Sequence, residues 1–296
     1  MYHDAVMLEA AINGLSVKPA GTYVDLTFGG GGHSRAILER LDNGRLIAFD
    51  QDEDTTRNVP EDRRLLFLNH NFCFLKNLLK WHDSIPVDGI LADLGVSSHQ
   101  IDESTRGFST RFDGPLDMRM NRRAEKRAAD VINNYSYEEL ADIFYLYGEL
   151  KNARKIAEAI VRQRSIKVIE TTGQLTELLK PFSARAREMK FMAQVFQALR
   201  IEVNGELDAL KAMLEQSREV LRPGGRLVVI SYHSLEDRLV KNFIRSGNFC
   251  GKVEKDFYGN IQGPFRVVSK MLTASDEEIK RNKRSRSARL RIAEKI

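Results

Sequence analysis

A run of four glycines is the part of the chain best suited to hold a ligand against bare backbone. The segment reads Asp25-x-x-x-Gly29-x-Gly31 and continues through Gly32 into His33. Because glycine has no Cβ, such a run turns sharply and lets another molecule approach the main chain closely. The pattern therefore predicts a ligand-binding turn with an acidic side chain beside it.

The spacing of these glycines separates two classes of adenosine cofactor. The dinucleotide fingerprint GxGxxG would need a glycine where Ser34 stands. A carboxylate at Asp25 disfavours a pyrophosphate, whereas it suits the ammonium and sulfonium groups of S-adenosyl-L-methionine. The sequence therefore predicts S-adenosyl-L-methionine as the cofactor and argues against a nicotinamide-dependent dehydrogenase.

Further candidate ligand contacts follow three other apolar runs. Asp50 ends the second run and can accept hydrogen bonds from ribose hydroxyls, with Asp52 or Glu53 as alternatives. Phe72 follows the third run and can face adenine, and Asp93 ends the fourth. Because the carboxyl ends of parallel strands share one edge of a sheet, these side chains are predicted to form one site.

The elements that carry these residues alternate in type along the chain. Short β-branched or aliphatic runs alternate with helical stretches, which is typical of βαβ units and a parallel sheet. We predict an α/β fold with a Rossmann-like methyltransferase sheet, in which Pro223-Gly224-Gly225 ends a helix before the fifth strand. The predicted strands are 22–28, 45–50, 65–69, 87–94, 226–231, 265–269 and 288–292.

The middle of the chain has helical periodicity instead. Ser136 with Glu139 and Thr171 with Gln174 are capping-box pairs that open helices. We therefore predict a mostly helical domain inserted into the α/β domain. The predicted parts are residues 1–104, the first part of the core; 105–205, the insertion; and 206–296, the second part of the core with a basic final strand.

Composition limits the class of protein. The chain has 296 residues, of which 42% are hydrophobic and 29% charged, a balance typical of a folded domain rather than a disordered or fibrous chain. It has no apolar run near the roughly 18 residues of a membrane span, so we expect a cytoplasmic protein. The isolated Cys73 and Cys250 predict reduced thiols, and no zinc site or other metal site is expected.

Positive charge is concentrated in two segments. The net charge is +5, and the basic excess lies within 104–205 and within 280–295. This distribution suits a polyanionic partner. Four side chains of the insertion are candidate phosphate contacts, which position a nucleic acid without reading its sequence: Arg122, Arg123, Lys126 and Arg127.

Long motifs in the right order give the chain a family resemblance over nearly its whole length. The strings span residues 25–34, 88–98, 106–109, 113–120, 196–201, 233–238 and 284–291, and include Asp25-Leu26-Thr27-Phe28-Gly29-Gly30-Gly31-Gly32-His33-Ser34 and His233-Ser234-Leu235-Glu236-Asp237-Arg238. They resemble the bacterial 16S rRNA cytosine-N4-methyltransferases, which modify a decoding-centre cytidine. Small departures at His99, Thr110 and Leu150 are expected to alter loop shape.

The resemblance implies a cofactor site, a substrate and a role for the insertion. The partner it implies is 16S rRNA or the small ribosomal subunit, with the insertion recognising RNA, and a homodimer is compatible with it. The cofactor residues that it implies are Gly31, Gly32, His33, Asp50, Phe72, Asp93 and Gln100.

Cytosine N4 is a weak nucleophile because its lone pair is delocalised into the ring. An enzyme must therefore orient this amine and accept hydrogen bonds from it. Many amine-methylating enzymes carry an Asp/Asn-Pro-Pro-aromatic string after the fourth strand, where this chain reads Asp93-Leu94-Gly95-Val96. The acid is kept and the ring is missing, so we predict Asp93 as the amine acceptor and Phe108 as the stacking ring.

Other chemistry is less favoured by the same motifs. Asp117 with Arg119 is predicted to be a structural ion pair. The segment from His233 to Arg238 is predicted to cap a helix rather than to supply a Ser-His nucleophile. The alternative functions are a methyltransferase acting on another macromolecule and a non-catalytic ribosome-assembly factor that binds RNA.

Overall fold

The computed structural model describes residues 5–253, 257 and 263–296. The chain forms two compact units, one made of Met1–Gly95 with Leu207–Ile296 and the other of Val96–Glu206. The division after Gly95 comes earlier than the predicted division after residue 104, because the polypeptide leaves the sheet soon after the fourth strand ends.

The first unit is built on one mixed sheet of eight strands. The strands are β1 (Thr22–Asp25), β2 (Arg45–Phe49), β3 (Leu65–Leu68), β4 (Val87–Asp93), β5 (Leu221–Ser231), β6 (Phe265–Val267), β7 (Leu272–Thr273) and β8 (Arg289–Lys295). Their order is β3-β2-β1-β4-β5-β8-β6, and β7 pairs with β8. Strands β1 to β5 are parallel to one another, whereas β8 is antiparallel to β5, β6 and β7.

Helices cover both faces of this sheet, as the near-continuous apolar strands require. The helices of this unit are α1 (Leu8–Leu15), α2 (Gly32–Leu38), α3 (Leu75–Trp81), α10 (Glu206–Val220), α11 (Ser234–Ser246) and α12 (Asp276–Arg281). Alternate strand residues such as Val24 and Ile90 pack under α3, α10 and α11, whereas Tyr23 and Leu91 pack under α1 and α2. This layered α/β fold with β4 at the centre confirms the predicted fold class.

The fifth strand differs from its prediction at its beginning. Val87 pairs with Leu221, and the register then shifts before Gly89 pairs with Arg226. The intervening Pro223-Gly224-Gly225 forms an irregularity inside the strand rather than a stop before it, and Gly224 supplies a φ of 75°. The short strand β7 was not predicted, because two residues are too few to show a periodicity.

The second unit is helical. Its core is formed by buried apolar side chains such as Phe144, Ile156 and Leu199. Both predicted capping boxes are present, at Ser136 and at Thr171. The helices are α4 (Ser98–Asp102), α5 (Ala128–Asn134), α6 (Tyr137–Leu146), α7 (Ala153–Arg164), α8 (Thr172–Leu179) and α9 (Glu188–Asn204).

Two further predictions concern the whole chain. Cys73 and Cys250 are both free thiols. Within the described residues, we find no helix with the length and apolar character needed to span a bilayer.

Candidate functional site

The glycine run forms a tight loop between β1 and α2. Gly31 caps α2 with a φ of 77°, a conformation that L side chains rarely adopt. A Cβ there would lie 2.9 Å from the Phe28 ring, and one on Gly32 would lie 2.8 Å from Ala5 Cβ. The loop therefore requires glycine for both conformation and space, and it leaves bare main chain at the carboxyl edge of the sheet.

Asp25 stabilises this loop from the protein interior. Its side chain is fully buried, with Ser34 Oγ donating to Oδ2 at 2.6 Å and the Thr27 amide donating to Oδ1 at 3.1 Å. Burial raises the pKa of its carboxyl, while His33 and the Ser34 hydroxyl act in the opposite direction. The expectation that Asp25 faces the cofactor's positive charge was therefore wrong, because the carboxylate points into the protein and holds the loop.

Asp50 stands at the end of β2 and is partly exposed. Its Oδ2 accepts a hydrogen bond from the Gly29 amide at 2.7 Å, and its Oδ1 accepts one from the Asp52 amide at 2.9 Å. Burial raises the pKa of Asp50 to about 7, against the lowering effect of these two amides. Asp52, an alternative ribose contact in the sequence, is buried and caps its own turn through the Asp54 amide, so Asp50 is the better placed of the two.

Asp93 ends β4 with its side chain 22% exposed. Its Oδ1 accepts a hydrogen bond from the Tyr232 hydroxyl at 2.7 Å, and its Oδ2 lies 3.9 Å from His33 Nδ1. Burial raises the pKa of Asp93 to about 6, while His33 and the Tyr232 hydroxyl lower it. His33 Nε2 lies 3.1 Å from the Val6 carbonyl oxygen. A carbonyl only accepts, so Nε2 is the donor in this contact, and Nδ1 is the ring atom turned to Asp93.

Phe72 opens a short turn after β3. The Asn71 side chain fixes this turn, because its Oδ1 accepts a hydrogen bond from the Cys73 amide at 2.8 Å. The Phe72 ring is half-buried against the core on one face of the sheet. It therefore presents a partly exposed aromatic surface one strand away from Asp50 along the same edge.

This donor set fits S-adenosyl-L-methionine better than a dinucleotide. The glycine loop places main chain without side chains at the carboxyl edge of the sheet, since Phe28 and Ala5 leave no space for a Cβ at Gly31 or Gly32. The partly exposed carboxyls of Asp50 and Asp93 suit ribose hydroxyls and positively charged groups, and they would repel a pyrophosphate. The parallel sheet places both carboxyls at the edge where open α/β folds bind their ligands.

The remaining predicted site residues belong to the second unit. The Gln100 side chain is buried and its Oε1 accepts a hydrogen bond from the Ser97 amide at 3.0 Å, in the capping box of α4. The Phe108 ring packs against the helical core, with the Arg106 guanidinium 5.9 Å from its centroid. The cofactor contact of Gln100 and the base stacking of Phe108 stay predictions.

The predicted phosphate contacts differ in their surroundings. Lys126 Nζ lies 2.8 Å from Glu202 Oε1, and Arg127 forms an ion pair with Asp130 across the first turn of α5. Arg122 and Arg123 are exposed. The phosphate contacts of all four side chains remain predictions.

Two side-chain roles predicted as structural are present in the structure. Arg119 and Asp117 form an ion pair at 2.7 Å. His233 caps α11 in a capping box with Glu236.

Tyr232 is a site residue that sequence reasoning missed. Its position directly after a predicted strand was the available signal, the same one that had selected Asp50 and Asp93.

Comparison with known proteins gives the family. The family model described as the MraW methylase family matches residues 1–296. The chain is 60% identical over 298 residues to the "Ribosomal RNA small subunit methyltransferase H" of Parabacteroides distasonis, covering 100% of this chain and 98% of that protein. A protein of the same name in Bacteroides fragilis is 60% identical, over 99% of this chain and 97% of that protein. Another in Flavobacterium johnsoniae is 55% identical, over 100% of this chain and 98% of that protein. With its glycine loop and acidic strand ends in place, the chain belongs to the MraW methylase family.

Proposed function

We propose that this chain transfers a methyl group from S-adenosyl-L-methionine to the exocyclic N4 amine of one cytidine in the decoding region of 16S rRNA. The observation that carries the proposal is Asp93, a partly exposed carboxylate at the end of β4, beside the glycine loop. The relatives named as small-subunit rRNA methyltransferases support the choice of RNA.

Asp93 is the acceptor for the attacking amine. A carboxylate oxygen that accepts an N–H hydrogen bond from N4 orients the nitrogen and increases the availability of its lone pair. Because the pKa of Asp93 is about 6, most of this carboxyl is ionised near pH 7.5 and can accept. After transfer, the extra amine proton leaves to this carboxylate or to water.

Asp50 and the glycine loop bind the methyl donor. Asp50 is assigned to the ribose hydroxyls, and the main chain at Gly31 and Gly32 to the methionine end. Phe72 is assigned to the adenine face. When bound, the cofactor would supply an electrophilic methyl on a sulfonium, and the neutral thioether released by transfer is a good leaving group, so the protein's task is positioning.

The helical unit supplies RNA binding in this proposal. Arg122 and Arg123 contact phosphates, and Phe108 stacks on the target base. A homodimer is compatible with this proposal. A substrate of this kind places the enzyme in the cytoplasm, where bacterial ribosomes assemble.

The test is a methyl-transfer assay with labelled S-adenosyl-L-methionine. Small ribosomal subunits and naked rRNA, both from cells that lack this activity, are the substrates, and modified nucleosides are identified by mass spectrometry. We expect N4-methylcytidine at a single site. Cofactor binding without incorporation into either substrate would contradict the proposal and favour another methyl acceptor or a role in assembly.

Asp93→Ala tests the assigned acceptor. Alanine removes both carboxylate oxygens and so leaves no side-chain acceptor for the amine, and we expect a loss of kcat of about 100-fold or more. Normal turnover by this variant would remove Asp93 from the catalytic role while leaving the methyl-transfer activity itself in place.

A further inference from the structure

A tyrosine that the proposed reaction does not yet use holds the carboxylate of Asp93. Tyr232 directly follows β5, and its hydroxyl donates to Asp93 Oδ1 at 2.7 Å. Strands β4 and β5 are parallel neighbours, with Asp93 paired to Ile230, so the tyrosine lies just beyond the acid at the same edge. The other oxygen, Oδ2, is 3.9 Å from His33 Nδ1, which is beyond hydrogen-bond length.

The position of the tyrosine is itself fixed. Its amide donates to Glu236 Oε2 at 2.9 Å, which ties the residue to the first turn of α11. On the other side, a Cβ on Gly95 would be in ordinary van der Waals contact with the Tyr232 ring, at 3.4 Å from Cδ2. The ring therefore lies near the residue that follows Leu94, and the amide bond to Glu236 fixes the backbone from which the side chain extends.

We propose that Tyr232 is a positioning residue for methyl transfer, whose hydroxyl orients the Asp93 carboxylate and stabilises its ionised form so that Oδ2 is presented to the amine. This inference rests on the proposed function. Tyr232 forms no covalent bond in the reaction and keeps its proton throughout. Burial, and then the adjacent Asp93 carboxylate, raise the pKa of the Tyr232 hydroxyl well above its usual value, so it remains a donor.

Several other ionisable groups face this pair and define the expected pH dependence. His33 on α2 favours the ionised form of Asp93, whereas Asp25 on β1 and Glu236 on α11 oppose it. Glu278 on α12 acts on the tyrosine. A change of tyrosine to phenylalanine removes one donor and leaves these groups in place. The pKa of Asp93 should then rise above about 6.

The experiment compares the pH profiles of wild type and Tyr232→Phe. The value of kcat/KM for RNA is measured between about pH 5.5 and 9 with saturating cofactor. We expect the acid limb of Tyr232→Phe to move up by about one pH unit, a roughly tenfold loss on its acidic side, with the two profiles converging at high pH. The matched control is Tyr23→Phe, which removes a buried hydroxyl that contacts Ser16 and Lys18 instead. In this control, kcat/KM should fall on the acidic side at the same pH as in wild type.

A second readout does not depend on turnover. The carboxyl carbon of Asp93 is followed by ¹³C NMR in protein labelled at aspartate, with Asp93→Asn providing the assignment. The pKa should be higher in Tyr232→Phe than in wild type. An unshifted limb, an equal loss at every pH, or an unchanged carboxyl titration would overturn the inference. An inactive wild-type enzyme would instead defeat the proposed function, so the two failures are distinguishable.

Discussion

Asp50 and Asp93 are carboxyls at strand ends whose pKa values burial raises toward neutrality, to about 7 and about 6. Each carboxyl is therefore less readily ionised than an exposed one, and a partner that donates a hydrogen bond to it favours the ionised form. Ribose hydroxyls and an amine are such partners, because they donate hydrogen bonds to a carboxylate. Binding at this edge should consequently depend on pH within the physiological range.

The affinity for S-adenosyl-L-methionine tests the role of Asp50. Protonation removes an acceptor, so the affinity should weaken as the pH falls below about 7, approaching tenfold per pH unit. Asp50→Asn should bind S-adenosyl-L-methionine more weakly at pH 8, and its affinity should not fall further below pH 7. Both are measured by calorimetry without RNA. Asp208→Asn, on an exposed side chain, is the control and should match wild type. If the affinity of Asp50→Asn for S-adenosyl-L-methionine still falls below about pH 7, another group is responsible for the titration.

The glycine loop allows a matched pair of substitutions. Gly31→Ala and Gly224→Ala both place a side chain at nearly the same backbone angle, φ 77° and 75°. A Cβ at Gly31 meets the Phe28 ring at 2.9 Å, whereas nothing lies within 4 Å at Gly224. Gly224→Ala should lose about 1 kcal/mol of stability in chemical denaturation, and Gly31→Ala should lose more because its methyl group also meets the Phe28 ring. Only Gly31→Ala should also lose cofactor affinity, and equal affinities would show that the loop tolerates the methyl group.

At the scale of elements, β8 shows how a basic segment becomes structural. Arg291 lies 2.7 Å from Asp237 on α11, and Arg289 lies 3.1 Å from the same carboxylate. Burial opposes ionisation of Asp237, but hydrogen bonds from Arg291 and Arg289 outweigh it and lower its pKa. Part of the positive charge of the basic tail is therefore used to join a helix to a strand.

Removal of this carboxylate should loosen the end of the sheet. Asp237→Asn leaves two arginines without their charged partner, so we expect a loss of about 1–3 kcal/mol in urea denaturation at pH 7. Because the folded-state pKa is lowered, the stabilisation is present above the unfolded pKa and is lost as the pH falls through the folded value. Asp208→Asn, in an exposed pair with Lys211, should cost less than about 0.5 kcal/mol. Equal losses would place the stabilisation elsewhere.

The sequence predicted the positions of strands and helices better than it predicted contacts between side chains. Asp50 and Asp93 could be placed because apolar runs locate strands and parallel strands share an edge. The burial of Asp25 could not, since it depends on how Ser34 folds back from α2. The contact of Tyr232 with Asp93 depends on the register between β4 and β5, which no local pattern encodes.

At the scale of the whole molecule, the candidate cofactor site and the central basic segment belong to different units. The first unit carries the carboxylates of that site and the basic tail, part of which pairs with Asp237, whereas the basic excess of residues 104–205 lies in the second unit. Carboxylates at a site for a cation and arginines at a site for phosphates would weaken each other if they were mixed. The division suggests that the binding of RNA and of the cofactor can be altered separately.

The double variant Arg122→Ala/Arg123→Ala tests this separation. If each arginine contacts a phosphate, RNA affinity should fall and the slope of log K against log salt should become shallower by about 1.4–1.8. The affinity for S-adenosyl-L-methionine without RNA should be unchanged. Arg63→Ala/Lys80→Ala removes the same charge from exposed positions of the first unit and should leave the salt slope as in wild type. An equal change of slope in both variants would mean that net charge attracts the RNA, whereas a change confined to Arg122 and Arg123 places phosphate contacts on the helical unit.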